Sequence, residues 1–388
     1  MNHFIFRLIE AVAAFGAACS SAYYLLCLWS ANAFLQQRRG GTASGQILPP
    51  VSMLKPLKGT DPEIYQSFRS HCLQDYPEYE IIFGVSDPND SAVASVRKLQ
   101  SEFPGLSIRL IVCRQILGAN IKVSNLAQML AEARYQLLLV NDSDIRVESD
   151  YLRRVMAPLA DPKVGMVTCL YRGAAAHTLG SQIESLGIST DFCAGVLAAR
   201  QLEGGLKFGL GSTMAFRSAD LEKIGGFESF ADYLADDYEL GRRIADQGLE
   251  VRLSDVVVET NLPAYSLSQF LSHQLRWSRG VRDSRVGGYL GLALTFGFLW
   301  ACTLMAASGA ALWAWALAGT TLLLRVAVAI VVGRRVLGDR QLIGQLWLLP
   351  LRDLVAVGVW VAGLAGHSVT WRGDRFVLKN GKLSRTDS

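Results

Sequence analysis

Apolar residues gather toward the two ends of the chain and leave the middle to shorter, alternating patterns. Residues 11–35 (AVAAFGAACSSAYYLLCLWSANAFL) carry no charge, and about 20 apolar positions in a helix suffice to cross ~30 Å of hydrocarbon. One transmembrane helix is expected there. A cleaved signal peptide, the competing reading, has an apolar core of only ~7–15 residues behind a basic segment, whereas here the basic pair Arg38 and Arg39 follows the run. By the positive-inside rule that pair places the next domain in the cytoplasm. The Gly-Gly-Thr-Ala-Ser-Gly stretch at 40–45 then reads as a flexible linker.

From Pro50 onward, short β-like runs at 51–54, 80–85, 107–112, 136–140 and 164–170 alternate with helical segments. Such alternation predicts an α/β domain with a mostly parallel sheet. Ligands of such sheets sit beyond the carboxyl ends of the strands, so the residues after each run are the ones to inspect. Behind Arg285 the apolar character returns at 289–307 and 311–332, expected as a membrane hairpin, and again at 342–365, where Pro350, Arg352 and Asp353 interrupt it. Arg334, Arg335 and Arg340 before that third stretch, and the basic segment 371–382 after it, prefer the same side of a membrane, which a re-entrant or interfacial path satisfies. The expected organisation is a transmembrane helix over 1–40, a cytoplasmic catalytic domain over 46–285, a membrane region over 286–370 and a basic tail over 371–388.

Composition agrees with a hybrid. At 51% hydrophobic and 19% charged residues, the chain is too apolar for an ordinary soluble enzyme and too charged for a pure membrane bundle. The net charge of +4 comes partly from arginines flanking apolar runs, and nucleic acid is not suggested as a partner. Seven cysteines are scattered singly with no C-x-x-C pair, which fits a reducing compartment. Neither G-x-G-x-x-G nor G-x-x-x-x-G-K-[S/T] occurs, which disfavours nicotinamide and P-loop chemistry.

Four segments carry candidate chemistry. Phe83 to Asp90 (FGVSDPND) puts Asp87 directly after an apolar strand, although Asp, Pro and Asn also simply close turns. In Leu137 to Asp144 (LLLVNDSD) a fully apolar strand runs into Asp142, a spacer and Asp144. Two such carboxylates hold a hard cation such as Mg²⁺ or Mn²⁺ and leave positions open for phosphate oxygens, or serve as a loop or helix start. Asp236 and Asp237 open an amphipathic helix, where acids favour the helix dipole and one could equally act as a general base. His273 to Gly280 (HQLRWSRG) precedes the membrane hairpin; arginine clamps phosphates, while Arg and Trp also accumulate at membrane interfaces.

Taken in this order, the four segments resemble family 2 and family 21 glycosyltransferases, whose fold is the nucleotide-sugar-binding GT-A domain and whose pattern is D, D-x-D, acid-acid-D and Q/R-x-x-R-W. The stretch from Met53-Leu54-Lys55-Pro56-Leu57-Lys58-Gly59 to Trp277 is similar to ceramide glucosyltransferases, and more so to bacterial hopanoid-biosynthesis glycosyltransferases acting on bacteriohopanetetrol. The resemblance covers about residues 50–285. It implies that Asp87 lies near a uridine, that Asn120, Lys122 and Asn125 border the donor, and that Asp142 and Asp144 bind a divalent metal (Mg or Mn), with Asp142 also at the diphosphate. Asp237 is implied as the catalytic base, Arg276 as a diphosphate contact, and Trp277 and Gln274 as acceptor contacts. His273 stands where the broad family carries Gln or Arg. The Gly209-Leu210-Gly211-Ser212-Thr213 segment is a further resemblance, its small residues allowing close backbone approach.

The implied reaction is a direct, inverting displacement from a UDP-sugar to a lipid hydroxyl. UDP-N-acetylglucosamine and a hopanoid polyol are the first expectation, UDP-glucose and ceramide the second. The bilayer is a third partner, and the expected location is a bacterial inner membrane, crossed several times, with the catalytic domain on the cytoplasmic side. A processive polysaccharide synthase shares these motifs but needs more spans for a channel. A noncatalytic sugar-nucleotide sensor or scaffold is the alternative of another class.

Overall fold

Each of the five β-like runs forms a strand, and three more strands join them: β1 Val51–Leu57, β2 Tyr79–Val85, β3 Ser107–Val112, β4 Leu137–Val140, β5 Ile145–Arg146, β6 Val164–Ala174, β7 Met214–Arg217 and β8 Glu250–Asn261. The computed structural model describes residues 2–40, 48–309, 311–371 and 374–385; the expected linker at 40–45 lies, beyond Gly40, outside the described residues. The chain packs as two units, one of Arg38–Ala176, Leu202–Pro263 and Phe376–Ser388, the other of Met1–Gln37, His177–Gln201 and Ala264–Arg375.

The first unit holds the sheet, with strand order β3-β2-β1-β4-β7-β6-β8-β5. β1 pairs parallel with both β2 and β4, and all seven of its residues are buried. Burial on both faces explains why these strands read as continuous apolar runs. Met53, Phe68, Phe83, Leu139, Tyr151, Val167 and Val258 belong to one core beneath the sheet. β7 runs antiparallel to β4 and β6. Because Val140 at the end of β4 pairs with Met214 at the start of β7, segments 141–144 and 209–213 leave the sheet at the same edge. Asn141 ties them together, its amide donating to Ser212 O at 2.8 Å and to the Tyr151 hydroxyl at 2.8 Å.

The basic segment near the end of the chain carries β-structure. Asp374–Lys379 and Lys382–Arg385 form a hairpin whose Phe376, Leu378 and Leu383 are buried. It grips the backbone just ahead of the Asp236–Asp237 pair: Leu234 N donates to Gly381 O at 3.0 Å and Leu383 N to Asp232 O at 2.7 Å.

The second unit is helical. Among the described residues, three helices are long and apolar enough to cross a membrane: Phe4–Arg38, Leu312–Val336 and Leu342–Leu364. The first contains the expected span. Of the expected hairpin, residues 312–336 are continuous, but 286–307 forms two helices, Val286–Thr295 and Gly297–Ala307, bent by 48°. The stretch expected to be re-entrant or interfacial folds as a helix of spanning length. Its polar interruptions, Arg352 and Asp353, are largely buried and paired. Arg325 Nη2 lies 2.6 Å from both Asp353 Oδ1 and Asp191 Oδ1, and Arg352 Nε lies 3.1 Å from Asp191 Oδ2. Ionisable groups within apolar helices are tolerated when they pair with one another in this way. Asp191 sits on a wide π turn, Ile188–Phe192.

Candidate active site

The residues at the shared edge of β4 and β7 gather four carboxylates, Asp142, Asp144, Asp236 and Asp237, of which Asp142 and Asp236 share one lysine. Lys122 stands on the helix Ile121–Leu130, which starts beside this edge because Asn120 caps it, accepting from Val123 N at 3.2 Å. The cap is pinned in turn, since Asn120 Nδ2 donates to Tyr233 O at 2.7 Å and its backbone N–H to Ala231 O at 2.7 Å. Lys122 Nζ therefore lies 2.8 Å from Asp142 Oδ1 and 3.0 Å from Asp236 Oδ2. Burial pulls its pKa down, but the charges of Asp142 and Asp236 outweigh burial and raise it above that of an ordinary lysine.

Asp237 is aimed by the backbone. Gly211 N donates to its Oδ2 at 2.8 Å and Tyr238 N to its Oδ1 at 2.8 Å, which fixes the carboxylate and leaves lone pairs to accept a proton. Burial, then the charge of Asp236, pushes its pKa up to about 6, with Lys122 opposing. Asp144 accepts a hydrogen bond from the Thr260 hydroxyl of β8; burial, then Asp142, pushes it also to about 6. Gly211 is the floor of the cluster. A Cβ there would sit 2.9 Å from Asp142 Oδ2 and 3.4 Å from Asp237 Oδ2, so the missing side chain keeps a space between two carboxylates.

Two basic groups escaped the sequence reading. Lys55 is fully buried inside β1, donates from Nζ to Asp142 O at 3.2 Å, and lies 3.4 Å from His71 Nε2. Burial lowers its pKa to about 7 despite the nearby Asp144 and Asp142, and burial together with Lys55 lowers that of His71 well below the usual range. A lysine in the middle of an apolar strand was the available signal.

The remaining expected residues divide. Asp87 is exposed at the end of β2 and accepts from Asn89 N at 2.8 Å, closing a turn. Asn125 is buried and accepts from Ser86 Oγ at 3.0 Å, so Asn120 and Asn125 spend polar atoms on holding the loops that frame the cluster. Gln274, Arg276 and Trp277 belong to the helical unit, on the helix Leu267–Ser284 that Ser266 and Gln269 start with a capping box. There the Trp277 ring lies 5.0 Å from that of His273 and 6.1 Å from that of Phe192.

Among the described residues no three His, Cys, Asp or Glu side chains form a ready-made metal cage. The donor set nevertheless fits a hard divalent ion bound by one or two carboxylates. Asp142 Oδ2 borders the open space above Gly211, and Asp142 raises the pKa of its neighbour Asp144, the electrostatic tension that a cation relieves.

The model of Glycosyl transferase family 21 matches residues 12–384. The chain belongs to this family. The resemblance drawn from the motifs is thereby borne out at the family level. Ceramide glucosyltransferase 3 of Caenorhabditis elegans is 29% identical over 231 residues, 59% of this chain and 50% of that protein. The ceramide glucosyltransferase of Candida albicans is 30% identical over 126 residues, 29% of this chain and 23% of that one. The family 21 chain thus spans about half the length, or less, of these relatives. A mannosyltransferase from Pyrobaculum calidifontis, solved in complex with GDP-Man and Mn2+, superposes with a TM-score of 0.56 at 20% identity and covers 92% of this chain and 99% of that one. The likeness shows the fold, which is GT-A as expected.

Proposed function

We propose that this family 21 protein transfers a sugar from a UDP-sugar, in the first instance UDP-N-acetylglucosamine, to a hydroxyl of a membrane lipid, in the first instance bacteriohopanetetrol, as a step of hopanoid biosynthesis. The observation that carries the reading is Asp237, fixed by the Gly211 N–H and facing the same open space as Asp142 Oδ2. Asp237 accepts the proton of the lipid hydroxyl, the oxygen attacks the anomeric carbon, and the bond from that carbon to the diphosphate breaks with inversion. Lys122 keeps Asp142 and Asp236 from repelling each other while the donor is absent. A Mg or Mn ion held by Asp142 and Asp144 would supply electrostatic stabilisation of the departing diphosphate. Asp87 at the uridine, Arg276 at the diphosphate, and Gln274 and Trp277 at the acceptor rest on the family resemblance. So does the orientation, with the sheet unit on the cytoplasmic side of a bacterial inner membrane because of Arg38 and Arg39.

The ceramide glucosyltransferase relatives favour a second reading, UDP-glucose to ceramide by the same mechanism. The deciding experiment incubates the purified protein in detergent with each UDP-sugar and each lipid, with Mg²⁺ or Mn²⁺, and weighs the lipid product. One hexosamine on bacteriohopanetetrol, lost about 10²–10⁴-fold in Asp237→Asn as for other general bases, is the expected result. Product from ceramide and UDP-glucose alone would keep the mechanism and replace the substrates. No product from any pair would favour a sensor or scaffold.

A further inference from the structure

Lys55, Ser67 and His71 are completely buried in the sheet unit, and the mechanism above uses none of them. Burying a lysine between Leu54 and Pro56 of an otherwise apolar strand is costly unless its N–H groups are satisfied. One partner is a histidine of fixed tautomer. His71 Nδ1 lies 2.9 Å from Ser67 O, and a carbonyl oxygen only accepts, so the proton of the ring sits on Nδ1. Burial and the neighbouring Lys55 keep that ring neutral, which leaves a lone pair on Nε2. Lys55 Nζ, 3.4 Å away, donates to it.

The other partner is the main chain of the two acids after β4. Lys55 Nζ donates to Asp142 O at 3.2 Å, and Ser67 Oγ donates to Asp144 O at 3.3 Å. These two bonds grip the backbone on either side of Ser143, whose hydroxyl donates to Asp61 Oδ2. All three grips come from one stretch of chain: Lys55 in β1, Asp61 in the turn that follows, and Ser67 on the helix Ile64–Cys72. The carboxylates themselves meet different groups, Asp142 meeting Lys122 at 2.8 Å and Asp144 the Thr260 hydroxyl. The backbone of the pair is therefore set separately from its side chains. Lys122 touches an oxygen of Asp142 that a cation would take, whereas Lys55 reaches the same residue through its carbonyl.

We propose that Lys55 and Ser67 are positioning residues for Asp142 and Asp144: by clamping the carbonyls on either side of Ser143 they set the spacing at which the two carboxylates receive a divalent cation, and His71 holds Lys55 in place. Groups that orient a ligand without touching the ion are worth about 10–100-fold in metal affinity. The clamp rests on the metal reading of Asp142 and Asp144 given above and adds to it the residues that make the pair rigid before the donor arrives.

Binding of Mn²⁺ to the full chain in detergent, read from the electron paramagnetic resonance signal of the free ion, needs no turnover and so separates the clamp from the transferase reading. The parent is compared with Lys55→Met, Ser67→Ala, Ser67→Thr, Asp142→Asn and Val96→Ala, with thermal unfolding of each metal-free protein recorded alongside. Lys55→Met keeps the length of the side chain without its donors and should weaken Mn²⁺ binding about tenfold or more. Ser67→Ala should weaken it about threefold, the worth of one neutral hydrogen bond, and Ser67→Thr should restore it, because its hydroxyl donates the same bond. Val96→Ala only trims the core beneath the sheet; it should lower the melting temperature and bind Mn²⁺ as the parent does. Parental affinity in Lys55→Met, a threonine no better than alanine at position 67, or a loss in Val96→Ala as large as in Lys55→Met overturns the clamp, and the metal assignment survives if Asp142→Asn still weakens binding. If Lys55→Met does not fold, the two serine variants carry the test. A parent that binds no Mn²⁺, or no more than Asp142→Asn does, overturns the metal assignment and the clamp with it. A parent that binds Mn²⁺ through Asp142 but transfers no sugar loses the transferase reading alone, and the same variants still decide the clamp.

Discussion

Two clusters of charge, one in each unit, show how the same residue types serve different ends. In the sheet unit Asp142, Asp144, Asp236 and Asp237 outnumber Lys122 and Lys55, and Asp142 keeps 41% of its side chain exposed. In the helical unit Asp191 and Asp353 face Arg325 and Arg352, charge for charge, with Arg325 only 4% exposed. A cluster that balances its own charges around a buried arginine is complete. A cluster with surplus negative charge, an open side, and pKa values raised first by burial and then by neighbouring carboxylates has the character of the site proposed above for donor binding and base catalysis.

The largest expected effect comes from unbalancing the complete cluster. Arg325→Leu removes the cation that pairs with both Asp191 and Asp353, and an uncompensated buried charge costs about 3–5 kcal/mol. Thermal unfolding in detergent should show it, and Arg325→Leu combined with Asp353→Leu should recover most of the loss, because removing both partners costs far less than removing one. A single variant as stable as the parent would mean that these charges are not buried together. Filling the open cluster should act on activity instead. Gly211→Ala puts a methyl group where Asp142 Oδ2 and Asp237 Oδ2 leave a gap, and a displacement of about 1 Å in a reacting constellation can cost on the order of 10²-fold in rate. Near-parental kcat/KM for Gly211→Ala would show that the gap is not where the reaction occurs.

The same contrast explains what the sequence could reveal. β1 to β4 and β6 were legible because each is an apolar run, and Asp142 and Asp237 because each follows a change of pattern. β7 is only four residues long behind a glycine-rich stretch, β5 only two, and β8 alternates too irregularly around Ser254 and Asp255 to stand out. The pairings were illegible for a different reason. Arg325 reaches Asp191 across 134 positions, so nothing local marks that contact. Arg352 and Asp353 likewise read as an interruption of 342–365 until Asp191 and Arg325 are placed beside them.

The smallest effect is a shift in pH profile, and it asks whether surplus charge tunes the base. As the proposed base, Asp237 works only as a carboxylate, and with its pKa raised to about 6 the kcat/KM should rise with pH through about 6 and level off above it. Asp236 contributes to that rise and Lys122 opposes it. Asp236→Asn should therefore move the acid limb to lower pH, and Lys122→Gln should move it to higher pH, in the manner of any carboxylate gaining or losing a neighbouring charge. Protonation also favours the folded state in this range, because a pKa above the unfolded value means that the native protein binds more protons; this contribution is full below about pH 4 and lost as pH rises through about 6. Asp236→Asn should flatten that dependence. Limbs that stay in place in both variants, measured as kcat/KM against pH at saturating metal, would show that a group other than Asp237 titrates in the reaction.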